Sequence, residues 1–258
     1  MITKLKTLRW YLQQPKGISL ILSLIKRKTI YRNREQTRLQ AEEWCKQHSL
    51  NTAEAFEKLF PGEDVVYVDP EQAFPMEFDN ANKKYKTTPY KMGGRGDIGI
   101  LYNVCEKVQA KFVAETGVAY GWSSLSILLS LAKREGSLLV STDMPYAKMG
   151  NESFVGIVVP PALKKHWKLI READISGLPK ALKNIESLDV VHYDSDKSYL
   201  GRMTTYPKLY KKLRNGGVFI SDDIQDNLAF KHFCEKLNLT PIIISFKNQF
   251  VGAFKKPV

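Results

Sequence analysis

Val113-Ala-Glu-Thr-Gly-Val-Ala-Tyr-Gly-Trp-Ser-Ser124 is an apolar run that meets an acid, turns through two glycines and restarts as a helix. Gly117 and Gly121 allow a tight bend and leave no Cβ between the backbone and a ligand. Ser123 and Ser124 stand where a helix N-terminus wants hydroxyl caps. The spacing, Glu-x-Gly-x-x-x-Gly, lacks the middle glycine of a dinucleotide fingerprint, and the chain has no Gly-x-x-x-x-Gly-Lys-Ser/Thr run for a nucleoside triphosphate. Such a turn is also compatible with a purely structural strand-to-helix connection.

Outward from that turn, helix and strand alternate. The pattern predicts helices over 98–110, 123–134, 200–213 and 227–237. It predicts strands over 111–115, 137–142, 167–171, 188–193 and 217–221, with a closing hairpin of 241–246 and 249–254 around Lys247-Asn248. Strands separated by helices imply βαβ units and a parallel sheet, whose ligands sit at the carboxyl ends of the strands. Three such ends carry acids. The second strand ends in Asp143, set to accept hydrogen bonds from a ribose diol or to cap the next helix. The fourth ends in Asp194-Ser-Asp-Lys-Ser-Tyr199 and the fifth in Ser221-Asp-Asp-Ile-Gln-Asp-Asn227. Carboxylates gathered at one rim persist when a cation or bound donor offsets their repulsion, and oxygen-only ligands favour Mg²⁺ or Ca²⁺. The plain alternative is helix capping.

The rest of the chain is of a different character. Residues 1–60 read as helix, with Asn51-Thr52 a cap and Pro61-Gly62 a stop. Residues 61–90 read as a loop-rich connector, with 65–68 a candidate short strand and Asp69-Pro70, Phe74-Pro75 and Thr88-Pro89 as punctuation. The expected organisation is a basic helical extension (1–60), a connector or cap (61–96) and one α/β domain (97–258). At 258 residues, 43% hydrophobic and 26% charged, the chain can bury a core and is not disordered, collagen-like or a disulfide scaffold. Cys45, Cys105 and Cys234 fit no zinc or redox spacing and read as reduced thiols of a cytoplasmic protein.

The net charge of +12 is concentrated: residues 1–40 hold ten basic residues and one acid, Glu35. A basic arm on a near-neutral body suggests an attachment surface rather than chain-wide nucleic-acid binding. The apolar run at 18–25 is too short to span a bilayer and is followed by Lys26-Arg27-Lys28, not a cleavage site. Either the arm lies on an anionic membrane surface, making the protein peripheral to the membrane, or its helices pack as a lid over the site or as a homodimer contact. His166, His192 and His232 read as structural.

Taken together, the glycine turn, Tyr193-Asp-Ser-Asp-Lys-Ser-Tyr199 and Leu213-Arg-Asn-Gly-Gly-Val-Phe-Ile-Ser-Asp-Asp223 resemble, in the right order, three motifs of the class I S-adenosylmethionine-dependent methyltransferases of the methyltransferase-24-like group. The resemblance runs from about Met92 to the C-terminus. It implies a Rossmann-like, doubly wound α/β fold with a seven-stranded sheet, last strand antiparallel. It implies cofactor contacts at Met92, Gly93, Glu115, Thr116, Gly117, Tyr120, Gly121, Ser123, Ser124, Asp143, Met144, Asp174 and Asp194. Metal-dependent O-methyltransferases of similar build hold Mg²⁺ at positions matching Asp194, Asp222 and Asp223. Lys197 matches the base of catechol-type relatives, and Asp196 that of sugar-modifying ones. Near relatives commonly have His where Lys197 stands, so both remain candidates. The implied activity is methyl transfer to a hydroxyl of a sugar, glycan or small metabolite with Mg²⁺ assistance. A nucleic-acid (RNA) methyltransferase is the first alternative. Asp143-Met-Pro-Tyr146 resembles the tetrad of amino-methylating DNA enzymes but follows the wrong strand, so no nucleic acid is expected. A non-catalytic methyltransferase-like scaffold is the second.

Overall fold

The computed structural model describes residues 2–64, 66–147 and 150–258, with side chains from Leu5 onward. One sheet holds β1 (Ser49–Leu50), β2 (Phe112–Thr116), β3 (Leu138–Thr142), β4 (Trp167–Ile170), β5 (Leu188–Tyr193), β6 (Leu213–Ser221), β7 (Ile242–Phe246) and β8 (Gln249–Lys255). Their order is β1-β7-β8-β6-β5-β2-β3-β4. Only β8 runs antiparallel to its neighbours, β6 and β7. The order reverses between β2 and β5, which makes the carboxyl ends of those two strands the topological switch point.

Twelve α-helices accompany the sheet among the described residues: α1 (Ile2–Gln13), α2 (Gly17–Lys28), α3 (Arg32–Glu35), α4 (Arg38–His48), α5 (Thr52–Leu59), α6 (Pro70–Ala73), α7 (Pro75–Lys86), α8 (Ile98–Lys107), α9 (Trp122–Leu131), α10 (Asp174–Ala181), α11 (Tyr199–Lys212) and α12 (Ala229–Lys236). Side chains of α5, α7, α8 and α9 form one core with one face of the sheet. Those of α10, α11 and α12 form a second core with the other face. Covered on both faces, the central strands bury apolar side chains on each: Leu188, Val190, Val191 and Tyr193 of β5 are all fully buried.

The doubly wound α/β fold expected from the sequence is therefore present, with three differences. The sheet has eight strands rather than seven, because Ser49–Leu50 pairs parallel with Ile243–Ile244. Two residues carry no periodicity, so only the tertiary pairing reveals them. The connector over 61–90 contains α6 and α7. Their prolines, read as loop punctuation, stand at the first helical positions, where a missing N–H costs nothing. Phe78 and Ala81 bury the face of α7, with Phe78 stacked on Trp122. Finally, α10 was not expected at all, since Pro179 inside it masks the helical pattern.

The candidate strand at 65–68 does not form over 66–68, and Val65 lies outside the described residues. Instead the Asn103 side chain accepts from the Val68 N–H at 2.8 Å and donates to its carbonyl at 2.7 Å. The helix predicted after Asn51 starts as expected. Asn51 and Glu54 form a reciprocal capping box. All three cysteines are free and buried, and burial pushes the Cys45 and Cys234 thiols up to about 12. Among the described residues no helix is long and apolar enough to cross a membrane.

Candidate active site

The turn after β2 is built as its sequence dictates. Gly117 and Gly121 take positive φ, +81° and +89°. A Cβ on Gly117 would stand 2.4 Å from the carbonyl oxygen of Asp194, so the turn after β2 presses directly on the segment after β5. Only glycine permits both the dihedral and the approach. Glu115 lies beneath this turn, fully buried, and accepts from Ser123 and Ser124 Oγ at 2.6 Å each and from Ser141 Oγ at 2.7 Å.

A cavity of about 610 Å³ opens at the switch point, within the range of small-molecule sites. Of the residues expected from sequence, it is lined by Met92, Gly93, Gly117, Ser123, Asp143, Met144, Asp174, Asp194, Asp196, Lys197, Asp222 and Asp223. Five others do not line it. Glu115, Thr116, Tyr120, Gly121 and Ser124 stand behind the wall. Glu115 and Ser124 brace the turn from below. The Thr116 carbonyl accepts from the Asp194 N–H at 2.8 Å. The Tyr120 hydroxyl donates to the Tyr90 carbonyl and accepts from the Met92 N–H, pinning the segment that brings Met92 and Gly93 to the cavity. Gly121 provides the left-handed residue that starts α9.

Two of the lining carboxylates are held by protein donors. Asp143 is nearly buried; one oxygen accepts from the Val118 N–H at 3.1 Å and the other is paired with Arg171. Asp174 accepts from the hydroxyls of Thr142, at 2.8 Å, and Ser195. Burial pushes its carboxyl up to about 6, and these hydroxyl bonds offset the rise only in part. The glycine turn, the space beside it and these acceptors fit a ligand bearing a diol and an amine.

The same cavity is lined by part of a charged constellation. The Lys197 ammonium lies between Asp194 and Asp223, paired with both. Asp222 faces His192 instead, with Nε2 3.5 Å from its carboxylate, while Nδ1 of the same ring lies 3.5 Å from Glu115. Burial opposes charge on His192, but the carboxylates of Asp222 and Glu115 outweigh it and raise the imidazole to about 9. The same pairing holds Asp222 below the usual carboxylate range despite its burial. The buried Arg202 guanidinium donates to the carbonyls of Asp222 and Asp223, fixing the turn in which Asp223 takes a positive φ of 53°.

The three aspartates expected to hold Mg²⁺ stand here against the protein's own cations. Asp194, Asp222 and Asp223 do not converge on one point: an ammonium sits between two of them and an imidazolium faces the third. No group of three acidic, histidine or cysteine side chains among the described residues could hold a metal. The repulsion that suggested a divalent cation is offset by the protein's own cations.

Asp196, on the same loop, is paired with Arg27 of α2. Its place depends on Gly201, where a Cβ would come within 2.3 Å of the Asp196 carboxylate. Arg27 belongs to a roof that sequence reading left open: Trp10 and Tyr11 of α1 and Leu20, Leu24 and Arg27 of α2 all line the cavity. The lid reading of the basic arm thus describes one face of these helices. Arg27, His192 and Arg202 are the site residues that sequence reasoning missed. The basic run flagged Arg27 only as a surface charge, and nothing in an apolar strand or a helix announces the other two. His166 and His232 are placed structurally, against Ser137 and Tyr199.

Residues 114–224 match a family model described as a methyltransferase domain. No curated protein matches the chain at a significant level. Among solved structures, an O-methyltransferase from Bacillus cereus in complex with SAH superposes with a TM-score of 0.51 at 14% identity, covering 79% of this chain and 96% of that one. An O-methyltransferase from Streptomyces achromogenes involved in tomaymycin synthesis, in complex with SAM, gives 0.52 at 17% identity, covering 84% and 98%. At such identity the likeness is one of fold.

Proposed function

We propose that this chain is a class I S-adenosylmethionine-dependent methyltransferase, in keeping with the methyltransferase-domain match over residues 114–224, and that it methylates a hydroxyl of a sugar, glycan or small metabolite without a bound metal. The observation that carries the reading is that one cavity is lined both by a glycine turn with Asp143 and Asp174 and by a proton acceptor, Asp196, next in sequence to the fixed cation Lys197.

In this reading the backbone of the turn and Asp143 hold the cofactor's amino-acid and ribose parts, with Arg171 exchanged from Asp143 as the diol binds. Asp174 faces the base. When bound, S-adenosylmethionine supplies a methyl group on a sulfonium, and the sulfur keeps the bonding electron pair as that methyl leaves. Asp196 takes the proton of the acceptor hydroxyl, because a carboxylate has lone pairs to receive it and an ammonium has none. The acceptor oxygen then forms the new bond to carbon. Lys197, anchored by Asp194 and Asp223, directs its charge at that oxygen as it becomes anionic. In-line placement under the α1–α2 roof supplies much of the rate, and the roof excludes water.

The test is calorimetric titration of S-adenosylhomocysteine with and without EDTA, followed by turnover with hydroxyl acceptors. Micromolar binding, indifferent to EDTA, is expected. Absence of binding in both buffers would overturn the reading. Asp196→Asn is expected to abolish turnover and spare cofactor binding, whereas a fully active D196N enzyme would remove Asp196 as the base.

A further inference from the structure

The roof helices have a second face. In α2, Leu20, Leu24 and Arg27 look into the cavity. Ile18, Leu22 and Ile25, spaced i, i+4, i+7, form a stripe on solvent with 69%, 50% and 52% of their surface exposed. In α1, Leu5, Leu8 and Leu12, spaced i, i+3, i+7, are likewise 58%, 43% and 53% exposed. Two packed neighbouring helices thus turn six large aliphatic side chains outward, an unusual cost for a surface element. The charge around them is equally one-sided: Lys6, Arg9, Lys26 and Lys28 are exposed, within a segment that carries ten basic residues and one acid.

We propose that α1 and α2 seat these stripes in the headgroup layer of an anionic bilayer, and that the acceptor hydroxyl belongs to an amphiphile reached from that surface. Each helix has 12 residues, about 18 Å at 1.5 Å per residue, too short to span and suited to lying in the interface. Apolar side chains flanked by lysine and arginine match an anionic membrane. Basic residues near an anionic surface are drawn to it. A second copy of the chain is a poorer occupant, because a two-fold contact would bring one strongly basic segment against another. A nucleic acid would leave the aliphatic stripes without a partner. The roof itself is the link to function: the helix that would lie in the headgroups also lines the cavity and holds Asp196 through Arg27. The docking surface stands independently; the nature of the acceptor rests on the methyltransferase reading.

The experiment is flotation of the full chain with vesicles of phosphatidylcholine alone, or with roughly 30% phosphatidylglycerol, at about 0.1 M and about 0.5 M salt. At low salt, binding to anionic vesicles is expected to exceed binding to neutral ones at least about tenfold and to fall at high salt. The triple variant Ile18→Glu, Leu22→Glu, Ile25→Glu is expected to lose at least about tenfold in vesicle binding, while its S-adenosylhomocysteine titration stays that of the parent, since none of the three lines the cavity. Three results would overturn the proposal: no preference for anionic vesicles, vesicle binding unchanged in the triple variant, or a dimer that the triple variant converts to monomer. Vesicle binding without any cofactor binding would leave the surface standing and sink the methyltransferase reading instead.

Discussion

Replacing His192 by glutamine tests the electrostatics beneath the site. The imidazole has 1% of its side chain exposed and lies 3.5 Å from carboxylates on two sides, Glu115 and Asp222. Burial alone would lower its pKa; the two carboxylates reverse this and raise it from 6.5 to about 9. At about 1.4 kcal/mol per pH unit, that rise corresponds to about 3 kcal/mol of folding stability. The same interaction lowers the Asp222 carboxyl and is not counted twice. The folded value lies above the unfolded one, so the folded protein binds the extra proton. The contribution is fully present below pH 6.5 and is lost as pH rises through 9. Urea unfolding at steps from about pH 6 to about pH 9.5 should therefore show the parent losing about 3 kcal/mol over that window. His192→Gln is expected to be less stable at pH 6 by about 3–5 kcal/mol, because two buried carboxylates lose their counter-charge. Its stability is expected to be nearly flat where the parent's falls. A parent profile without that slope, or a variant that retains it, would refute the assignment of His192 as the buried cation.

Other expectations concern the site directly. Gly117→Ala drives a Cβ to within 2.4 Å of the Asp194 carbonyl and is expected to weaken S-adenosylhomocysteine binding by more than about tenfold in calorimetry, with circular dichroism checking the fold. Asp143→Ala is expected to weaken the same binding, whereas Asp222→Ala spares it, and equal losses would break the division of roles. Gly201→Ala displaces Asp196, so kcat is expected to fall at least about tenfold with the KM for S-adenosylmethionine unchanged. Because Lys197 holds the place between Asp194 and Asp223, EDTA is expected to leave turnover unchanged, and Lys197→Met to abolish it while cofactor still binds; a requirement for added Mg²⁺ would contradict this.

The sequence by itself determined the α/β alternation, the glycine turn and the acids at the strand ends, because each of these is written in local spacing. An apolar run of five residues, a positive-φ glycine and an aspartate after a strand need no distant partner to be recognised. Its limits were equally physical. Ser49–Leu50 is a strand only because Ile243 and Ile244 lie beside it, and α7 is a helix that begins with a proline read as loop punctuation. Glu115 lies among the expected cofactor contacts but is taken up by three serines from two elements. Most telling is the acidic rim. Its three aspartates suggest a cation because sequence shows charges without showing which groups face them. Which cation faces which carboxylate depends on through-space distances between residues far apart in the chain: Arg27 meets Asp196 across 169 positions, and His192 bridges two strands to reach Asp222 and Glu115. Coulomb energy falls with distance in space, not along the chain, so only the tertiary structure decided the chemistry of that rim.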